Sequence, residues 1–230
     1  ITDINNNIYS ITLDALGRVT SSRFYGTENG AVAGYSDKSF TVPANAEDVL
    51  ALSVPLPIAQ CYVYISDSWT WENTPKLPPH VVALTTDRYD SDSNQQIRQR
   101  VVFSDGFGRE LQSSVHVEAG DAWQRTDEGV LKVGADNLPE ARYTNSRWVV
   151  TGKTEYDNKG QPIRTYQPYF LDSWKYVRDD SARPDLYADT HYYDPVGREW
   201  QVKTAKGGLR RQLYTPWFTV IEDENDTAGE

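Results

Sequence analysis

The chain has 230 residues, a formal net charge of −10 and 38% hydrophobic residues, among them 15 Tyr and 7 Trp. The negative balance argues against nucleic acid or an anionic membrane surface, both of which are held by Lys and Arg. A single cysteine, Cys61, leaves no internal disulfide and no cysteine-based zinc site.

Aromatics at 12% suit half-buried pleated surfaces better than helical bundles, so the expected class is mainly β. No stretch reaches the ~18 apolar residues of a spanning helix, and no basic-then-apolar leader opens the chain. Direct membrane insertion is therefore not expected. Methionine is absent even at position 1, which reads as a piece cut from something longer.

In chain order, the first turn signal is LDALGRV at 13–19, carrying Asp14, Gly17 and Arg18. NAEDVLAL at 45–52 predicts a short helix with Asn45 as N-cap and Glu47 and Asp48 in the first turn. It stops before Pro55 and Pro57, after which AQCYVYI at 59–65 reads as a buried strand. Residues 66–80 show no period and read as a long connection. Ile97, Gln99, Val101 and Phe103 alternate before FSDGFGREL, which carries Asp105, Gly108 and Arg109. Leu111, Ser113, Val115 and Val117 then form one strand face, with Glu110, Gln112, Ser114 and His116 on the other.

YDNKGQPI at 156–163 repeats the signal with Tyr156, Asp157 and Gly160, and YDPVGREW at 193–200 repeats it with Tyr193, Asp194, Gly197 and Arg198. Residues 168–189, between these two copies, read as a second long connection. Asp bonds its own backbone in turns and Gly takes positive φ freely, so each copy predicts strand, turn, strand. A further hairpin is expected across Ala205-Lys206-Gly207-Gly208, between 200–204 and 209–214. Residues 1–221 form the expected sheet segment, and EDENDTAGE at 222–230 an acidic flexible tail.

Catalytic and ligand readings fare poorly against this pattern. Paired carboxylates suggest glycoside hydrolysis, but all four repeated aspartates occupy one turn slot. Asp90, Asp92 and Asn94 imitate a calcium loop, yet Gln95 and Val101 stand where Gly and Glu are needed. His80, His116 and His191 share no ligand spacing, Cys61 lies in an apolar run, and Lys206-Gly207-Gly208 lacks phosphate-loop spacing. No cofactor, metal or catalytic residue is expected. Trp69, Trp71, Trp174 and Trp217 could stack on sugars, although loop aromatics more often anchor loops.

The hairpins resemble the Rhs or YD-repeat family, through Tyr193-Asp194-Pro195-Val196-Gly197-Arg198, the Phe103 to Arg109 copy and Tyr156-Asp157. LPIAQCYVYISDSW at 56–69 and the stretch 166–200 look like the C-terminal part of the B component of bacterial ABC-type Tc insecticidal toxins. That resemblance implies antiparallel hairpins within a large curved sheet, part of a secreted cocoon-like shell. Its partners would be the rest of the B component, the Rhs-repeat C component, an enclosed effector and, indirectly, the A-component channel. The family's self-cleaving protease uses a DPxGxR-like motif; here Arg198 comes one place early, so that activity is not carried over. The competing readings are a glycan- or cell-surface-binding module and a two-carboxylate hydrolase.

Overall fold

A computed structural model describes residues 2–4, 6–28, 30–72, 76–136, 138–177 and 187–229. Strands make up 46% of the chain and helices 4%, in large antiparallel sheets, so the class is mainly β as the alternation requires. Two compact units divide at Ile1–Phe103 and Ser104–Glu230.

In the first unit, β1 (Ile8–Leu13), β2 (Val19–Glu28), β4 (Gln60–Ile65), β5 (His80–Thr86) and β6 (Ile97–Ser104) lie in that order, all antiparallel. β3 (Ala31–Gly34) pairs with the far end of β2. The register aligns Cys61 with Leu84, Val63 with Val82 and Ile65 with His80. Val82 in turn faces Val101, and His80 faces Phe103. Because side chains alternate with period 2, these rows fall on one face, and all seven of their apolar members are buried.

The helix expected at 45–52 is α1 (Ala46–Leu50), whose N-cap Asn45 accepts from the Asp48 N–H. It buries Ala46 and Val49, and Gln99 Nε2 donates to the Leu50 carbonyl at 2.8 Å. Of the connection at 66–80, Ser68–Thr70 form a 3-10 turn and 73–75 lie outside the described residues. Gln95, in the calcium-like stretch, is buried; it donates to Leu56 O and Arg88 O and accepts from the Leu56 N–H.

The second unit holds two sheets. One runs β7 (Glu110–Val117), β10 (Arg147–Thr151), β13 (Tyr169–Leu171), β8 (Gly120–Trp123), β9 (Ala141–Thr144), with β13 and β8 parallel. The other runs β11 (Thr154–Tyr156), β12 (Pro162–Tyr166), β14 (Ala188–Tyr193), β15 (Glu199–Lys203), β16 (Leu209–Tyr214), β17 (Thr219–Glu222). Leu131, Val150, Tyr166, Tyr169, Leu171, Val177 and Ala188 form a common core, with Trp123 packed against it.

Three details go beyond the sequence reading. The polar row of β7 is buried at its centre, at Gln112 and Ser114, while Glu110 and His116 stay exposed, because 172–177 folds across the strand there and needs partners for its backbone. Gln112 Oε1 accepts from the Val177 N–H at 3.1 Å, and Nε2 donates to Lys175 O. The second expected connection contains β13, whose apolar Tyr169 and Leu171 join the core; 178–186 lie outside the described residues. Residues 223–229 form turns against β16, where buried Thr227 donates to Leu209 O; Glu230 lies outside the described residues.

Candidate functional site

The four Asp-Gly segments adopt one geometry. At the first, the Asp14 N–H donates to Arg18 O, the Gly17 N–H returns to Asp14 O, and Asp14 Oδ1 accepts from the Leu16 and Arg18 N–H groups. The same set recurs at Asp105 with Phe107, Gly108 and Arg109, and at Asp157 with Lys159, Gly160 and Gln161. It recurs again at Asp194 with Val196, Gly197 and Arg198. The glycines have φ of 76°, 80°, 84° and 87°, a region that a Cβ makes costly.

The second carboxylate oxygen takes the arginine. Arg18, Arg109 and Arg198 each donate Nε to their own turn aspartate at 2.6–2.7 Å. Donation from the Arg18 and Arg198 backbone is the largest cause holding Asp14 and Asp194 below the usual carboxylate range. At Asp105 partial burial opposes the shift, but the Arg109 backbone and side chain outweigh it and the net direction is down.

A tyrosine from the neighbouring strand closes each turn. Tyr64 OH donates to Val19 O, Tyr156 OH to Glu110 O, Tyr193 OH to Pro162 O and Tyr214 OH to Glu199 O, at 2.8–3.3 Å. In every case the acceptor directly follows the Arg or Gln that ends the turn. Three of the rings also lie under the guanidinium: Arg18 over Tyr64 at 4.3 Å, Arg109 over Tyr156 and Arg198 over Tyr214 at 4.4 Å. At Asp157, where Gln161 replaces Arg, its Nε2 donates instead to Gly197 O of the next turn. Tyr156 thus reaches from β11 to β7, carrying the clasp from one sheet of the second unit to the other.

One further turn, at 126–130, escaped the sequence reading, and another, at 204–208, is the hairpin it expected. Thr126 and Thr204 stand in the aspartate slot, each with its N–H bonded four residues on, to Val130 O and Gly208 O, and with Oγ1 accepting the returning N–H. Gly129 and Gly207 have φ of 83° and 86°. The detectable signal was a hydrogen-bonding residue three places before Gly, with Thr substituting for Asp. The hairpin expected at 205–208 is the second of these.

The other candidate groups are engaged in structure. Asp90 accepts from Ser36 N–H and Oγ, and Asp92 from the Asn94 N–H and Arg88. His80 is buried beside Phe103, at 5.0 Å between ring centroids, and burial lowers its pKa; burial pushes the Cys61 thiol up to about 11. His191 links Thr165 Oγ1 (3.0 Å from Nε2) to Glu199 Oε2 (2.6 Å from Nδ1). That row has the order of a nucleophile relay, but it lies across β12, β14 and β15, whose backbone groups form the sheet ladder rather than an oxyanion site. Trp69 and Trp217 are 59% and 90% exposed. No group of three His, Cys, Asp or Glu side chains converges among the described residues.

No protein-family model and no curated protein matches the chain. Among solved structures, it is similar to TcdB2-TccC3 at 59% identity with a TM-score of 0.90, over 99% of this chain and 11% of that one. It is similar to TcdB2-TccC3-Cdc42 at 49% identity and 0.90, over 100% of this chain and 13% of that one. To the Photorhabdus luminescens Tc holotoxin pore it is 48% identical with a TM-score of 0.89, over 99% and 13%. The chain therefore spans about an eighth of the length of the chains it matches.

Proposed function

We propose that this chain, a Rhs-type fragment of the Tc toxin B/C-component kind, is a non-catalytic stretch of wall in a secreted shell that encloses a toxic effector. The supporting observation is the tyrosine clasp. Each hairpin is completed by a side chain of the next, a device that extends a sheet unit by unit, and at Asp14, Asp105 and Asp194 both carboxylate oxygens are engaged within the turn. The similarity to TcdB2-TccC3 supports the same reading. The partners are the remainder of the B component, the C component and the enclosed effector, with the A-component channel as an indirect one.

Expression of residues 1–230 alone and beside the flanking B and C segments tests this. Solubility, protease resistance and cargo retention should all rise together in the assembled form. A soluble, protease-resistant monomer that hydrolyses a substrate by itself would overturn the wall reading. The exposure of Trp69 and Trp217 favours a second reading, a glycan-binding surface. Binding of the isolated chain to a glycan array would support it.

A further inference from the structure

A cavity of about 920 Å³ lies in the first unit, where β3, the segment 35–38 and the connection 89–91 meet. Tyr25 pairs with Ile8 of β1 on one side and with Gly34 of β3 on the other. β1 and β3 therefore lie on opposite edges of β2, and the cavity is walled by this chain on both flanks. Tyr25, Tyr35 and Tyr89 line it. Tyr35 and Tyr89 meet edge to face at 5.2 Å, Phe24 supports Tyr89 at 6.5 Å, and Tyr35 OH bonds Thr86 Oγ1 at 2.7 Å. Asp90 is fixed as firmly: one oxygen accepts from the Ser36 N–H at 2.8 Å and the other from Ser36 Oγ at 2.6 Å. A carboxylate has about four acceptor positions, so each oxygen keeps one to offer. Lys38 and Ser91 bring donors to the same wall, and Arg23 holds that segment by donating to Ser36 O and Lys38 O.

We propose that this cavity binds a neutral saccharide of one or two pyranose units, with the Tyr89 ring against a C–H face of the sugar and Asp90 accepting from its hydroxyls. The chemistry of the walls selects this class. An aromatic face is negative and attracts the polarised C–H groups of a pyranose, and a charged carboxylate takes a short, strong bond from a hydroxyl. An anionic ligand would meet Asp90, whereas an organic cation, the other partner of tyrosine rings, would meet Lys38. A wholly apolar ligand would strip water from both charges. The volume falls in the range of small-ligand sites, and the contacts with Thr86, Ser36 and Phe24 position the groups in advance, which lowers the ordering cost of binding. The cavity stands apart from the exposed tryptophans. The 3-10 turn that carries Trp69 is bonded to Pro78, before the His80 end of β5, while the cavity adjoins the Thr86 end; Trp217 belongs to the other unit. The inference goes beyond the wall reading, which neither needs nor forbids it.

Titration of the isotope-labelled whole chain with lactose, maltose, cellobiose and chitobiose tests this. At least one of these sugars should shift the amides of 31–38 and 89–91 saturably. Tyr89→Ala should weaken that binding about tenfold, as loss of an aromatic anchor does. Ala31→Trp, at an exposed position on the cavity wall, should do the same by filling the space, and it decides the matter if loss of Tyr89 disturbs the fold. Trp69→Ala and Trp217→Ala should leave binding unchanged. No shift at these amides with any of the sugars would overturn the proposal. So would binding that survives Ala31→Trp, or binding lost with Trp69 or Trp217, which would move the saccharide to the exposed tryptophans. Shifts with tetramethylammonium and none with sugars would make the cavity a cation site and reject the saccharide. Cargo retention by the B and C segments has no part in these readouts, so this inference and the wall reading fail separately.

Discussion

At Asp194 the backbone groups of a turn find their partners within four residues, whereas at Gln112 the partner is Val177, 65 residues away. Both arrangements satisfy backbone that folds away from water, and the two regions belong to the same unit. The turns do it with a local pattern that is repeated. The layer around β7, β10 and β13 does it with single buried polar side chains, Gln112, Lys153 and Arg125, each used once. Lys153, 1% exposed, donates to Val177 O and lies 3.9 Å from the Tyr176 ring centroid, while Arg125 donates to Lys175 O and Tyr176 O. A local device can lose one member and keep its neighbours. A long-range polar contact cannot, because its loss leaves buried groups unpaired.

Gln112→Ala should therefore have the largest effect. It strands the Val177 N–H and opens a cavity at a side chain that is 0% exposed. The expected loss is roughly 3 kcal/mol in denaturant unfolding. A cost under about 0.5 kcal/mol would mean that Gln112 does not hold the Val177 backbone in solution.

Gly108→Val and Gly197→Val should each cost about 1–3 kcal/mol, since both positions require positive φ. Gly108 has open space around an added Cβ, so its loss would report backbone strain alone. Gly106 has no positive φ and the same open space, and Gly106→Val should melt close to the parent. Equal effects at 106 and 108 would break the claim that the turn conformation matters more than glycine as such.

Tyr193→Phe should cost about 1 kcal/mol, the usual net worth of one hydrogen bond, by freeing Pro162 O. The effect should be confined to hydrogen exchange near 161–166 and 188–193. Global loosening of the second unit would show that the clasp is not local.

These contrasts follow what the amino-acid sequence could express. Asp, Gly and Arg recur at fixed offsets, so the strand pairs beside them were readable, as was α1 from Asn45. The clasping tyrosines were visible only in part: Tyr156 and Tyr193 adjoin an Asp, but Tyr64 is followed by Ile65 and reveals its role only across β2. The turn at Thr126 was missed because a hydroxyl replaces a carboxylate, whereas the one at Thr204 was readable from Lys206-Gly207-Gly208. The burial of Gln112 and the position of β13 depend on contacts between distant segments, for which period-2 alternation carries no signal.

Acid should separate the two regions further. The pKa values of Asp14, Asp105 and Asp194 are lowered in the folded chain. Their contribution is therefore fully present above the unfolded value of about 3.9 and is lost as pH falls through the folded values. Unfolding followed below about pH 4 should lose stability in the parent, and less steeply when Asp14, Asp105 and Asp194 are all changed to Asn. Identical acid limbs would mean that these turns are not linked to stability through their charge.

The smallest effect is expected where a polar group is buried without a partner. Tyr169 packs its ring against Trp123 at 4.9 Å, and burial pushes its phenol pKa up. Its hydroxyl has no hydrogen bond among the described residues, and neither has Arg125 Nε or Asp172 Oδ1 beside it. The ring contributes by filling the core, whereas the hydroxyl has been removed from water without recompense, a situation in which deletion removes a desolvation cost and leaves packing intact. Tyr169→Phe should thus be neutral or stabilising by up to about 1 kcal/mol, in contrast to the loss at Tyr193→Phe. The two phenylalanine variants, melted side by side, compare a tyrosine used for its hydroxyl with one used for its ring. A loss of 1 kcal/mol or more at Tyr169 would assign that hydroxyl a bond to Arg125 or Asp172 in solution and make the interior of the inserted layer as closely hydrogen-bonded as the turns.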